Sequence, residues 1–336
     1  MSGTSDAVAS GGRTAGPGAD RRYDVVVIGG GAAGLSGAVT LARARRSVLV
    51  LDAGEPRNAP AAHMHGYLGH DGLPPSRLLA VGRGEVTRYG GEVAAGAVAA
   101  AERLPGGEGF RVVREDGTAV VARALLVATG LVDEVPKVPG VAERWGREVL
   151  HCPYCHGWEV RSRPVGVLST GPLAVHQALM WRQWTEDVTL FGHTGPEPAG
   201  EEYEQLAARG IAVVDGEVTG LEVTDDRLAG VRLAGGRVVA CEAVVVQPRF
   251  VARTEGLAGL GLEVTEVTVG GAPAGTCLAT GPAGSTRVPR VRVAGNAADP
   301  KAQVVVAAAA GMQAAVALNA DLTDDDVRRA VAARRA

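Results

Sequence analysis

The chain has 336 residues, roughly two domains at about 150 residues each, which excludes a single small binding module. Lys+Arg 34 against Asp+Glu 37 leaves a formal charge of -3, with no cationic excess to neutralise nucleic acid or an anionic membrane surface, so neither is expected as a partner. Glycine is the outlier at 48 residues, about 14% against a usual ~7%, a surplus that belongs in turns and close backbone approaches.

Residues 1–21 are rich in Gly, Ser and Ala and lack the basic and apolar regions of a signal peptide, so they read as a disordered tail on a cytoplasmic protein. Strand-like runs at 23–28, 47–51, 124–128, 165–169, 188–191, 243–246 and 290–294 alternate with helical patterns, the signature of α/β layers around parallel sheets. Stretches 90–121 and 211–239 instead show short apolar alternation broken by turn pairs such as Asp116-Gly117 and Gly235-Gly236. Their recurrence predicts two related α/β domains, each with an antiparallel meander. The stretch 304–320 is nearly half alanine and is interrupted by Gln313 and Asn319, which suits a tightly packed helix better than a membrane span.

The first strand runs into Gly29-Gly30-Gly31-Ala32-Ala33-Gly34, then a helical segment, then a strand ending in Asp52. In this GxGxxG context Gly29 permits a tight turn, Gly31 lets backbone approach a pyrophosphate, and Gly34 allows close helix packing. The helix N-terminus at Ala32 and Ala33 offers N–H groups to the phosphates, and Asp52 can accept from ribose hydroxyls.

The most informative run is His151-Cys152-Pro153-Tyr154-Cys155-His156-Gly157. Two residues between cysteines allow a small disulfide ring, and a flanking histidine or helix N-terminus stabilises a thiolate as nucleophile and leaving group. Structural zinc is the competing reading, but it needs four tetrahedral ligands and no second CxxC or HxxxH exists, so no metal is expected. Cys241 and Cys277 are isolated and read as ordinary buried thiols. His63, His65 and His70 fit either a substrate channel or a surface loop. Tyr154, Trp158, Trp181 and Trp184 could wall a pocket, although an i, i+3 tryptophan pair on a helix is ordinarily core.

With these motifs the chain resembles the low-molecular-weight thioredoxin reductases over nearly its whole length. The resemblance implies two Rossmann-like domains, each a three-layer ββα unit. It divides the chain into a first FAD-binding part (22–132), a central domain carrying CxxC on a degenerate NADPH-binding fold (133–250), a second FAD-binding part (251–325) and a C-terminal tail (326–336). It also implies a homodimer. Ala128-Thr129-Gly130 matches the family's closing turn of the first flavin segment. Gly295, Gln303 and Val304 match the returning flavin segment, where Asn296 replaces an aspartate.

The central domain departs from a reductase. Its nucleotide turn reads Ser169 where the first glycine belongs, followed by Gly171 and Ala174, and Gly192-His193-Thr194-Gly195 stands where the family clamps the 2'-phosphate of NADPH with arginines. Here the chain is similar to the dithiol oxidases of holomycin and gliotoxin type. That likeness implies transfer of electrons from a small-molecule dithiol through Cys152 and Cys155 to FAD and on to O2. Cys152 would be the interchange sulfur and Cys155 the flavin-proximal one; next to the reacting sulfur, His156 is the candidate acid/base, with His151 as second choice. An NAD(P)H-dependent disulfide reductase is the alternative.

Overall fold

The computed structural model describes residues 20–336, so most of the tail expected at 1–21 lies outside the described residues. Its last residues do not trail away: Asp20 pairs with Arg111 at 2.9 Å, and β1 (Arg21–Ile28) already begins at Arg21. A central parallel strand is covered on both faces and must be apolar on both. Val25 and Val27 accordingly enter one core layer while Val26 and Ile28 enter the other.

After β1 come α1 (Ala32–Arg43), β2 (Val48–Asp52), α2 (Pro75–Arg88), β3 (Glu92–Ala95), β4 (Val98–Arg103), β5 (Phe110–Arg114) and the long β6 (Ala119–Val127). They form a sheet in the order β3-β2-β1-β6-β5-β4. The stretch expected to be a meander from residue 90 is one only in part, because β3 pairs parallel to β2 and the antiparallel pairs begin at β4. Helices α1 and α2 cover one face, and Phe110 and Val112 of the hairpin cover the other.

The chain leaves this unit through β7 (Leu131–Glu134). It then forms β8 (Val149–Leu150), α3 (Pro153–His156), β9 (Val165–Leu168), α4 (Ala174–Trp181), β10 (Val188–Phe191), α5 (Gly200–Ala208), β11 (Ala212–Val214), β12 (Val218–Thr224), β13 (Arg227–Leu233), β14 (Val238–Ala240) and β15 (Ala243–Val245). The parallel sheet β11-β10-β9-β15-β8 carries α4 on one face and the β12–β14 meander on the other, so the three-layer ββα plan occurs twice. One detail differs from the sequence reading: α4 ends at Trp181, which places Trp184 in the turn beyond it.

β16 (Arg249–Ala252) returns antiparallel to β7 and is joined by the hairpin β17 (Val264–Val269) and β18 (Ala272–Leu278). Gly270-Gly271 between two apolar alternations is the hairpin signal that sequence reasoning passed over. β19 (Val291–Val293) then enters the first sheet beside β6, and α6 (Val304–Arg335) crosses α1. The two helices cross where glycines let them close up: a Cβ at Gly311 would overlap the Ala33 carbonyl, and one at Gly37 would crowd Leu126 and the Gly311 carbonyl. α6 runs on to Arg335, so residues 326–335 are helix where a tail was expected. Among the described residues it is the one helix long and apolar enough to cross a membrane by length and composition. Its Ala307, Ala314, Leu318 and Leu322 are core residues shared with α1.

Candidate active site

The ends of β1, β6 and β19, the start of α1, the start of α6 and the CxxC segment converge on one cavity of about 1180 Å³. That exceeds the roughly 300–1,000 Å³ of a pocket for one small ligand. Gly29, Gly31, Ala32, Ala33, Asp52, Ala128, Thr129, Gly130, Gly295, Asn296, Gln303 and Val304 all line it, as do Cys152, Cys155, His151 and His156. Gly34 does not line it and acts from beneath, since a Cβ there would overlap the Gly29 carbonyl oxygen.

The glycine turn has the form a dinucleotide needs. Gly29 sits at φ 108 against the Ala128 carbonyl, a conformation closed to L side chains, whereas a Cβ at Gly31 would meet nothing within 4 Å, because that side opens to the cavity. Asp52 accepts N–H groups from Gly30 and Gly54, both at 3.2 Å, and pairs with Arg83 at 2.8 Å, which holds the carboxylate at the cavity edge. Asn296 donates its amide to the carbonyls of Ala302 at 2.9 Å and Asp299 at 3.0 Å, bonds an aspartate could not make, so its oxygen is the atom left for a ligand hydroxyl. These features fit FAD. Gly29→Ala is expected to yield colourless protein, checked by flavin absorbance after purification.

Cys152 and Cys155 are joined as a disulfide, with Cα atoms 5.3 Å apart. Cys152 caps α3, Pro153 holds its first position, and the Cys155 and His156 N–H groups both reach the Cys152 carbonyl at 3.2 Å. His151 donates from Nδ1 to the Val246 carbonyl at 3.1 Å and stacks edge-on against Phe250. Burial pushes its imidazole below the ordinary value, an effect the nearby Arg57 reinforces and the Val246 carbonyl and Asp133 oppose. Burial likewise pushes His156 down, with Glu159 opposing and His65 reinforcing. Unlike His151, the His156 ring makes no hydrogen bond to any described residue.

His63 and His65 also line the cavity, whereas His70 packs against Tyr67 outside it. Of the four aromatics, Tyr154 and Trp181 line it. Trp184 supports Tyr154 edge-on at 5.6 Å, and Trp158 lies outside under Arg161. Burial pushes the Cys241 thiol to about 12, whereas Cys277 is only half-buried rather than the buried thiol expected, and its thiol is raised by that partial burial and by Asp299. Among the described residues no three His, Cys, Asp or Glu side chains converge as metal ligands. Sequence reasoning missed Arg57, His176, Gln177 and Gln247 in the cavity wall, because no local pattern marks them.

Residues 23–314 match the pyridine nucleotide-disulphide oxidoreductase family. The chain belongs to that family. Its members of this type are FAD-binding flavoproteins, in accord with the glycine turn. Thioredoxin reductase sirT of Leptosphaeria maculans is 32% identical over 88% of this chain and 93% of that protein. Thioredoxin reductase tcpT of Claviceps purpurea is 37% identical over 53% of this chain, and the match spans 58% of tcpT, little more than half its length. Among solved structures, HlmI superposes with a TM-score of 0.85 at 49% identity, covering 92% of this chain and 95% of that one.

Proposed function

We propose that this family member is a dithiol oxidase. It converts a small-molecule dithiol to an intramolecular disulfide, and O2 takes up the two electrons and two protons as hydrogen peroxide, in a late or self-protective step of making a disulfide-containing natural product. The cytoplasm and a homodimeric state belong to the same reading.

The observation that carries it is the turn after β9. The Ser169 hydroxyl is buried against Gly195, whose N–H bonds back to the Ser169 carbonyl at 2.9 Å, so the two glycine-rich turns fold onto each other. His193 uses Nδ1 to accept the Val218 N–H at 3.1 Å. Residues 192–208 hold four glutamates and no lysine or arginine, a charge pattern that repels a 2'-phosphate. Leu173, ahead of α4, packs against Gly270 of the β17–β18 turn at the place where a pyrophosphate would approach the helix. CxxC, by contrast, opens into the same cavity as the flavin cradle.

In this reading one substrate thiolate attacks the disulfide at Cys152 and Cys155 leaves as thiolate. The second substrate thiolate then attacks its partner sulfur in the mixed disulfide, which frees Cys152 and closes the product disulfide. His156 takes the proton from the attacking thiol. Bound FAD supplies the two-electron chemistry that reoxidises the dithiol. Oxygen consumption with dithiothreitol and matching peroxide release test the proposal; no oxygen uptake with any small dithiol overturns it.

Because the His156 pKa is lowered, the imidazole is a neutral base at pH 7. The rate should stay level from neutral pH upward and fall only as pH drops below the ordinary value of about 6.5. His156→Ala is expected to slow turnover by roughly 10²- to 10⁴-fold and to remove that acid limb, which pH–rate profiles of both proteins check.

A further inference from the structure

Residues 53–74, between β2 and α2, form no helix or strand, yet irregular connections beyond about 15 residues are uncommon in compact domains and usually functional. This one reaches across to the part of the molecule that carries CxxC. Near its start, Arg57 grips Asp133 of β7 with both arms of its guanidinium, at 2.8 and 2.7 Å. Its third nitrogen donates to the Pro300 carbonyl at 2.9 Å, and its plane lies 5.3 Å from the ring of Phe250 on β16. β7 and β16 are the two strands through which the chain enters and leaves the central unit, so one side chain holds both, together with the segment before α6. Asp133 is only 7% exposed, so the pair is largely shielded from solvent. Pro60 packs against Gly146 of the central unit. Further along, His65 lies between Asp71 of its own segment at 3.4 Å and Glu159, just after α3, at 3.3 Å.

We infer that this segment is a strap that sets the size class of the substrate. Arg57 holds the two crossing strands and His65 holds Glu159 beside CxxC, so the disulfide stays turned into the shared cavity, where small dithiols reach it and folded proteins do not. Its catalytic meaning rests on the dithiol-oxidase reading, but its mechanics do not. A reductase that serves a protein substrate must swing CxxC outward, and Arg57 bonds to one and stacks on the other of the two strands that join the units.

The test needs no turnover. Flavin-loaded protein in a Cys277→Ser background is reduced and treated anaerobically with N-ethylmaleimide or with a polymer-linked maleimide. The rate ratio of the bulky to the small reagent at Cys152 and Cys155 reports how far CxxC is open. Arg57→Ala is expected to raise that ratio about tenfold, the loss of a two-armed charged grip. His65→Ala and Glu159→Gln are expected to raise it about three- to fivefold, the scale of a partly exposed polar contact. Arg57→Lys, which keeps the charge but not the fork, should fall between wild type and Arg57→Ala. Where Arg57→Ala fails to fold, the two milder variants decide. Unchanged ratios in His65→Ala and Glu159→Gln, or in a folded Arg57→Ala, overturn the strap. If the ratios rise as stated while no dithiol drives oxygen uptake in the wild type, the strap stands and the oxidase reading falls.

Discussion

Cys155→Ser is expected to lower dithiol oxidation by about three orders of magnitude or more while the protein keeps its flavin. A serine hydroxyl can neither close the ring with Cys152 nor leave as a thiolate, so no covalent route from substrate sulfur remains. The flavin cradle draws on other elements: the turn after β1, the end of β6 and the start of α6 lie outside the α3 segment that holds the cysteines. Cys152→Ser should be as inactive with oxygen as acceptor, because the first sulfur–sulfur exchange has no target. Oxygen uptake and flavin absorbance, measured on the same preparations, check both halves. Normal uptake in both variants would make the pair structural.

NADPH is expected to reduce the flavin at least about a hundredfold more slowly than a small dithiol does. A two-armed arginine grip on a phosphate comprises two charge-assisted hydrogen bonds at about 1.5–3 kcal/mol each, so its absence weakens binding by roughly 10²- to 10⁴-fold. The glutamates at 197, 201, 202 and 204 act in the same direction. Anaerobic stopped-flow bleaching at micromolar NADPH and at equal dithiothreitol settles the comparison, and faster bleaching by NADPH would return the protein to the reductases.

What sequence reasoning reached and what it missed divide along the range of the interactions. The glycine turn, α1, β2 and Asp52 were legible because each obeys a local rule: an unbroken apolar run in β1, a positive φ at Gly29, and a carboxylate at the next strand end. CxxC was legible because three residues of spacing define a ring. The two related α/β domains showed themselves through turn pairs at matching places, while their three-layer plan came from the family resemblance. Arg57 was invisible, since its partners lie 76 and 243 residues away in a segment without periodicity. Gln177, bonded to Gln247 at 3.1 Å across 70 residues, was invisible for the same reason. Helix ends were also misjudged: Trp184 continues the apolar pattern of α4 although the backbone stops at Trp181, and the charged sequence after residue 325 hides a helix held by pairs such as Arg46–Asp326 and Arg123–Asp326.

The pairing of β19 with β6 and the crossing of α6 over α1 govern how the molecule is made. Val291 lies beside Leu125, so the strands that complete the first sheet are separated by the whole of the second. During synthesis β8 to β15 emerge as one continuous stretch and can assemble while β6 still has an open edge and α1 a bare apolar face. Gly295 and Gln303 follow β8 to β15 in the chain, so the cofactor cradle closes only after that whole stretch has been made.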